Sequence, residues 1–430
     1  MKRYYIITIA VCLAMFLAVG SFFDVWNTVP LTGVVKVGFI YQNDESTLST
    51  YNFALAQDAL TQAFPDRVEV LSKNNVLVSE TEEPLREMVR KGCKLIFTNS
   101  TSEQVKAVAA DCPGVQFCQV SCPGVVQTET PGNFHTFNGE IYQGHYVNGL
   151  AAGMKLRALI SEGTVAVQNA AVGFVGAAPT AEVISGYTAF LLGVRAVVPE
   201  AVLKVKYTGT WSNYARERAC AAELIDAGCV VIAQNTPTIG PAIACEAAEG
   251  KVFLVGFNDS MIDVAPSTAL VSTRVNWTPY ILGAVDAVLA GKSIEKRVDA
   301  KARGNDMRAG FEKGWVEMLE LNSLISAEGT AERMQQAIDE FRRGRLEVFR
   351  GDYTGVNPAN PSDTCDLSQG YAENSDSSLA SFHYVLEGVV EILADDEESG
   401  ETGSSGSIFQ QSIPKNQKTE ENNLDMFQHS

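Results

Sequence analysis

From residue 34 onward, short β-branched and apolar runs alternate with stretches whose apolar positions recur three and four residues apart. Runs at 34–41, 68–71, 94–98 and 115–120 predict strands, and 51–64, 82–91 and 103–111 predict helices. Alternation at this pitch implies parallel βαβ units with right-handed crossovers. A long helical stretch at 142–160 follows, and then the alternation restarts. The new strands are 171–175, 202–207, 230–233 and 252–256, separated by helices at 181–197, 214–227 and 241–248. A strand at 270–274 and helices at 279–290 and 330–344 complete the pattern; the last ends in Arg342-Arg343-Gly344-Arg345, cations suited to a helix C-terminus. Two α/β sets of similar length, without a repeated motif, predict two similarly built lobes.

The two ends of the chain have a different character. Met1-Lys2-Arg3 precedes an apolar run at 4–23 that has no polar face. At about 20 residues it suits either a membrane span or a signal peptide. Ala18-Val19-Gly20 before Ser21 resembles a cleavage site, while Phe22-Phe23 beyond it fits an uncleaved anchor, so both readings stay open. Export is expected either way, with an extracytoplasmic, membrane-associated or periplasmic location. Cys12 lies mid-run after bulky residues, which argues against lipid attachment. Beyond 394 an acidic run and a Gly/Ser-rich polar stretch lack the apolar content to order themselves, and 395–430 is expected to be a disordered tail.

Length and charge narrow the function classes. A chain of 430 residues accommodates two domains with extensions. A formal charge of −18 repels phosphate backbones, and no basic run interleaved with aromatics offsets it, so nucleic acid is not an expected partner. Eight of the nine cysteines lie beyond the apolar run; an even number permits disulfides, but the spacing shows no framework. Cys118 and Cys122 have no histidine within finger-like reach, so zinc is not expected. Cys93 and Cys229 follow glycines and lead into apolar runs, as small buried thiols do.

In open parallel sheets, ligands collect beyond the carboxyl ends of the strands. The residues at those positions are Gln42-Asn43-Asp44, Asn99-Ser100-Thr101 and Ser121 in the first set. The second set offers 176–179, Gly209-Thr210-Trp211, Gln234-Asn235-Thr236 and Asn258-Asp259-Ser260. Taken singly, each is a turn or cap residue. Their repetition at strand ends in both sets points to a site of amides, hydroxyls and aromatics that stacks and hydrogen-bonds a neutral planar ligand. Catalytic signatures are missing: there is no Gly-x-Ser-x-Gly elbow, phosphate-binding loop or His-Glu-x-x-His pair, and 41–50 holds no glycine for a dinucleotide fingerprint. Neither a cofactor nor an enzyme activity is expected.

The stretch 137–149 (Phe-Asn-Gly-Glu-Ile-Tyr-Gln-Gly-His-Tyr-Val-Asn-Gly) resembles the basic membrane proteins, the purine-nucleoside-receptor-like substrate-binding components of ABC transporters. Further matching segments run in order: Gly173-Phe174-Val175 with 179–186, Leu191 to Arg195, 209–211, 222–236, Gly256-Phe257-Asn258, 275–280 and 385–389. The resemblance implies a type I periplasmic-binding-protein fold, with two Rossmann-like lobes, a hinge and an inter-lobe cleft. Carried onto this chain, the first lobe covers 34–139 and about 276–310, the second 140–275 and about 311–394. It further implies a purine base or nucleoside stacked between aromatics, Tyr51 (or Phe53 nearby) from one lobe and Trp211 from the other. Asn99, Tyr142, Glu182, Gln234 and Trp277 become lining residues, although Tyr142 and Trp277 suit core packing equally well.

Three positions depart from the nucleoside-binding pattern. Ser121 and Asn258 stand where that pattern has acidic residues, and Thr273-Arg274-Val275-Asn276 stands for Lys-Arg-Val-Asp. A charged ribose clamp is thereby neutralised, which favours a purine base or similar flat heterocycle. The implied partners are an ABC permease and ATPase, and a monomer is expected. Two alternatives from other classes are a protein that reports its ligand to a membrane receptor, and a nucleoside hydrolase resting on Asp44, Glu45 and Asp259.

Overall fold

A computed structural model describes residues 30–123 and 130–392. The first series is β1 (Val35–Ile40), α1 (Leu48–Ala63), β2 (Val68–Lys73), α2 (Glu82–Arg90), β3 (Cys93–Thr98), α3 (Gln104–Asp111), β4 (Gln116–Val120) and β5 (Phe134–Gly139). Helix α4 (Tyr142–Ser161) opens the second: β6 (Ala171–Gly176), α5 (Ala181–Arg195), β7 (Val202–Tyr207), α6 (Tyr214–Asp226), β8 (Val231–Gln234), α7 (Gly240–Glu246), β9 (Phe253–Phe257) and β10 (Ala269–Val275). The chain then returns to the first side through α8 (Thr278–Leu289), α9 (Ile294–Arg297), β11 (Lys301–Arg303) and β12 (Asp306–Ala309). It crosses back for β13 (Val316–Met318), α10 (Thr330–Arg342), β14 (Thr354–Asn357), β15 (Asn360–Asp366), β16 (Val385–Leu386) and β17 (Val389–Ile392).

Two seven-stranded sheets result, ordered β11-β12-β5-β4-β3-β1-β2 and β13-β10-β9-β8-β6-β7-β17. Their five consecutive strands share one topology, in which the second strand lies outside the first and the third, fourth and fifth extend the other way. All those pairings are parallel; the β11–β12 and β10–β13 pairs are antiparallel. Helices cover both faces, so the central strands are apolar on both: Phe39 and Phe97 on one face and Ile40 and Ile96 on the other are buried. Thr180 and Asn213 cap α5 and α6 through bonds from the Val183 and Arg216 amides. The architecture is the two-lobed α/β arrangement that the alternation and the resemblance imply.

Helices α4 and α5 pack at glycines. A Cβ on Gly149 would stand 3.0 Å from the Gly193 Cα and collide with the Phe190 carbonyl oxygen. One on Gly193 would meet the Tyr146 carbonyl oxygen in the same way. The two backbones therefore approach as closely as side-chain-free positions allow.

Strand ends differ from the sequence expectation by one or two residues, as hydrogen-bond criteria make usual. Strand β5 is a larger difference. His135, Thr136 and Asn138 interrupt its apolar run, yet His135 and Thr136 are buried because each finds a partner: His135 Nε2 pairs with Gln116 Oε1 at 2.8 Å and Thr136 Oγ1 donates to Asp306 at 2.7 Å. The chain passes between lobes after β5, β10 and β12, and these passages touch. Asn276 N donates to Trp315 O at 2.8 Å, Glu140 N to Ala309 O at 2.9 Å. The apolar run at 1–23 and the tail at 395–430 lie outside the described residues; among those described, no helix is long and apolar enough to cross a membrane.

Candidate functional site

Each sheet has a point where strand order reverses, between β1 and β3 in the first and between β6 and β8 in the second. Loops leaving the two strands there diverge to opposite faces and leave a crevice at the carboxyl edge. At the first point Gln42 N donates to Asn99 Oδ1 at 2.9 Å, which fixes the amide of Asn99 between the two strand ends. Asn99 Nδ2 reaches Thr50 Oγ1 at 3.5 Å. At the second point Asn235 N donates to Val175 O at 3.2 Å. Gln234 Nε2 donates to the carbonyls of Thr236 and Thr238 at 2.8 and 2.9 Å, and its Oε1, although fully buried, has no partner. Because two carbonyls claim the nitrogen, the free atom is an acceptor.

The two edges face each other. Leu48 N, opening α1, donates to Pro237 O beyond β8 at 3.4 Å, and the Leu48 side chain packs against the second-lobe core. Glu182, in the first turn of α5, lies close enough to Cys122 beyond β4 to raise that thiol, behind the larger contributions of burial and Glu103. The Glu182 side chain keeps solvent-accessible surface, yet the surrounding protein desolvates its carboxyl and pushes it up to about 6.

The other expected residues divide. Tyr51 stands one turn into α1, about a third exposed, and Trp211 is half-buried against the second-lobe core; they belong to opposite lobes. Phe53 is buried in the first-lobe core and packs 5.5 Å from Trp277, which also sits 5.6 Å from Phe137. These two are brought together as packing aromatics beside the crossover. Tyr142 packs 5.5 Å from Phe349, and burial raises its phenol. Asn258 occupies a left-handed turn at φ 69°, which asparagine tolerates, and its amide donates to Thr273 O at 2.9 Å. Ser121 bonds to Ser378 and, at 3.4 Å, to Asp306.

Asp44 and Asp259, on which a nucleoside hydrolase would rest, sit in turns. Asp44 accepts the Ser46 amide at 3.0 Å together with its hydroxyl, contacts that hold its carboxyl below the usual range. Asp259 accepts the Ser260 amide at 2.8 Å. The eight cysteines of the described residues are free thiols; Cys93 and Cys229 are buried, and burial pushes Cys229 up to about 12.

Sequence reasoning missed the groups at the crossovers. Asn52, mid-helix in α1, donates to Val275 O at 2.8 Å. Glu140 is almost wholly buried, held by Lys301 at 2.8 Å and Gln143 Nε2 at 2.7 Å, and desolvation still raises its carboxyl. A charged residue after Gly139, within an otherwise apolar strand-to-helix passage, was the available signal.

Known proteins match this arrangement. The family model described as ABC transporter substrate-binding protein, PnrA-like, matches residues 43–342. A purine-binding protein of Brucella abortus is 26% identical over 359 residues, covering 83% of this chain and 93% of that protein. A Haloferax volcanii protein named as an ABC transporter glucose-binding protein is 25% identical over 311 residues, covering 71% of this chain and 72% of its own. Among solved structures, an ABC transporter solute-binding protein of Conexibacter woesei superposes with a TM-score of 0.57 at 18% identity, covering 73% of this chain and 98% of the other, and so shares the fold. Substrate-binding proteins of ABC transporters act outside the cytoplasm, capture small molecules for the other transporter components and are not enzymes. With well over half its length matched, the chain belongs to the PnrA-like family of ABC transporter substrate-binding proteins.

Proposed function

We propose that this protein captures a purine base, or a nucleoside more weakly, between lobe 1 (34–139 and about 276–310) and lobe 2 (140–275 and about 311–394). Tyr51 and Trp211 stack on the ligand from opposite sides. Asn99, Gln234 and Glu182 supply hydrogen bonds, while Ser121 and Asn258 leave the site without a charged ribose clamp. The observation that carries this reading is the unpartnered, buried Oε1 of Gln234 at the second crevice. A buried acceptor without a donor costs about 1–3 kcal/mol, so the ligand favoured there brings a donor. Adenine offers an exocyclic amine and a ring N–H on a flat neutral frame, which suits Gln234 and the Glu182 carboxylate together. The Brucella abortus relative, named as purine-binding, supports the same class.

In this reading the loaded protein is an exported or membrane-tethered monomer that docks on a permease with its ATPase. Isothermal titration with adenine, guanine, adenosine and guanosine tests the ligand. Tighter binding of the bases is expected; nucleosides binding far more tightly, or no purine binding at all, overturns the assignment.

A further inference from the structure

The segment that follows α10 lies beyond the matched residues 43–342 and makes an arm between the lobes. Both its ends are rooted in lobe 2. Phe349 and Phe382 stack at 4.5 Å within that core, Leu367 and Leu386 are buried there, and β17 pairs with β7. Its turn is rigid by internal bonding: Glu373 accepts the Ser381 and Phe382 amides at 3.0 and 2.8 Å and the Ser381 hydroxyl at 2.8 Å, while Asn374 Nδ2 donates to Leu379 O at 2.6 Å.

The tip of this turn is fastened to lobe 1. Asp306 of β12 accepts the Ser378 amide on one carboxylate oxygen and the Ser378 hydroxyl on the other, both at 2.6 Å. Ser378 also bonds to Ser121 at the end of β4. Arg303 of β11 donates to the Asp376 carbonyl at 2.6 Å and its carboxylate at 3.0 Å, and Arg308 of β12 reaches Ser375 O at 3.5 Å. Asp306 and Ser378 are buried, so the bonds between them are shielded from water, whereas the Arg303–Asp376 pair lies at the surface. The crossovers after β5, β10 and β12 let the lobes rotate; an arm rooted in lobe 2 at both ends and fastened to lobe 1 at its tip spans that hinge and opposes the rotation.

We propose that residues 371–384 form a latch, fastened at Asp306, that holds the two lobes together and slows release of the ligand. It places Ser378 beside Ser121, at the mouth of the first lobe, so the latch also keeps that hydroxyl turned from the ligand. The inference stands whether or not the ligand is a purine, because its main readout needs none. Small-angle scattering of the ligand-free protein is compared with the Arg303→Ala/Ser378→Ala double variant and, separately, Asp306→Asn. Both variants are expected to have a larger radius of gyration than the parent, with unchanged circular dichroism. In stopped-flow displacement, adenine, if the parent binds it, is expected to leave the double variant roughly tenfold faster, the equivalent of one or two lost bonds. An unchanged radius of gyration in both variants overturns the latch, whatever adenine does. A parent that ignores adenine while the variants expand removes the purine reading alone.

Discussion

Placing a methyl group where α4 crosses α5 tests how the fold carries the site. In Gly149→Ala the new Cβ collides with the Phe190 carbonyl oxygen and stands 3.0 Å from the Gly193 Cα. Both obstacles are backbone, so no rotamer change relieves the clash and the helices must separate. Overpacking against a rigid neighbour costs about 3 kcal/mol, while replacing a mid-helix glycine by alanine returns about 1 kcal/mol. A net loss of about 2 kcal/mol lowers Tm by roughly 2–3 °C in a protein of this size. Thermal unfolding by circular dichroism measures it, with Gly114→Ala as control, since a Cβ there meets nothing within 4 Å. Gly193→Ala should cost a similar amount, and the double variant much less than the two summed, because one separation of the helices accommodates both methyls. A Tm for Gly149→Ala within a degree of the control refutes the packing argument. Because α4 begins at Tyr142 and α5 at Ala181, beside Glu182, the same variant should also weaken ligand binding.

Other expectations concern single side chains. Trp211→Ala should weaken adenine binding roughly 10- to 100-fold in titration calorimetry, the loss of one stacking face; an unchanged Kd removes Trp211 from the site. Glu182, held near 6, is a carboxylate above that pH and an acid below it, so affinity for a donor-bearing ligand should fall between pH 7.5 and 5. Glu182→Gln should flatten the profile, and a parent profile already flat contradicts its role. His145, buried beneath Phe257 and pushed down to about 3 by desolvation, resists protonation when folded but not when unfolded. Its contribution is complete above about pH 6.5 and lost on acidification, about 2 kcal/mol by pH 5. His145→Gln should lose less stability between pH 7 and 5 than the parent in urea unfolding; an equal loss in both assigns the acid sensitivity elsewhere.

The alternation was readable because central strands such as Ala171–Gly176 are apolar on both faces and amphipathic helices such as α10 bury one, so short continuous runs and 3.6-residue periods survive in a single sequence. Val202–Tyr207 emerges with the bounds its apolar run predicts. Strand β5 did not, since its polar residues are satisfied by Gln116, Asp306 and Glu295, partners 19 or more positions away. Strands β11, β12 and β14 to β16 were equally silent: they are short, at sheet edges or in a separate small sheet, where alternation is not enforced. Strand-end position put Asn99 and Gln234 at the two reversals of strand order, because amide residues gather in the turns there. It could not separate a stacking aromatic from a packing one, and Phe53 proves to be buried among Phe39, Tyr41 and Trp277. Asp306 and Ser378, 72 positions apart, meet only through the path of the chain after α10.

Neither lobe is written as one continuous stretch. The first sheet is incomplete until β12 settles beside β5, and the edge of β7 stays bare until Val389 to Ile392 lie against Leu203 to Lys206. A ribosome releasing this chain therefore yields no finished half early, and a gene cut at the crossover after Gly139 would encode a first fragment without β11 and β12 and a second that carries those two strands without the sheet they complete. Bare strand borders invite pairing with the wrong chain. Such fragments should clump when expressed separately and be rescued only when produced together.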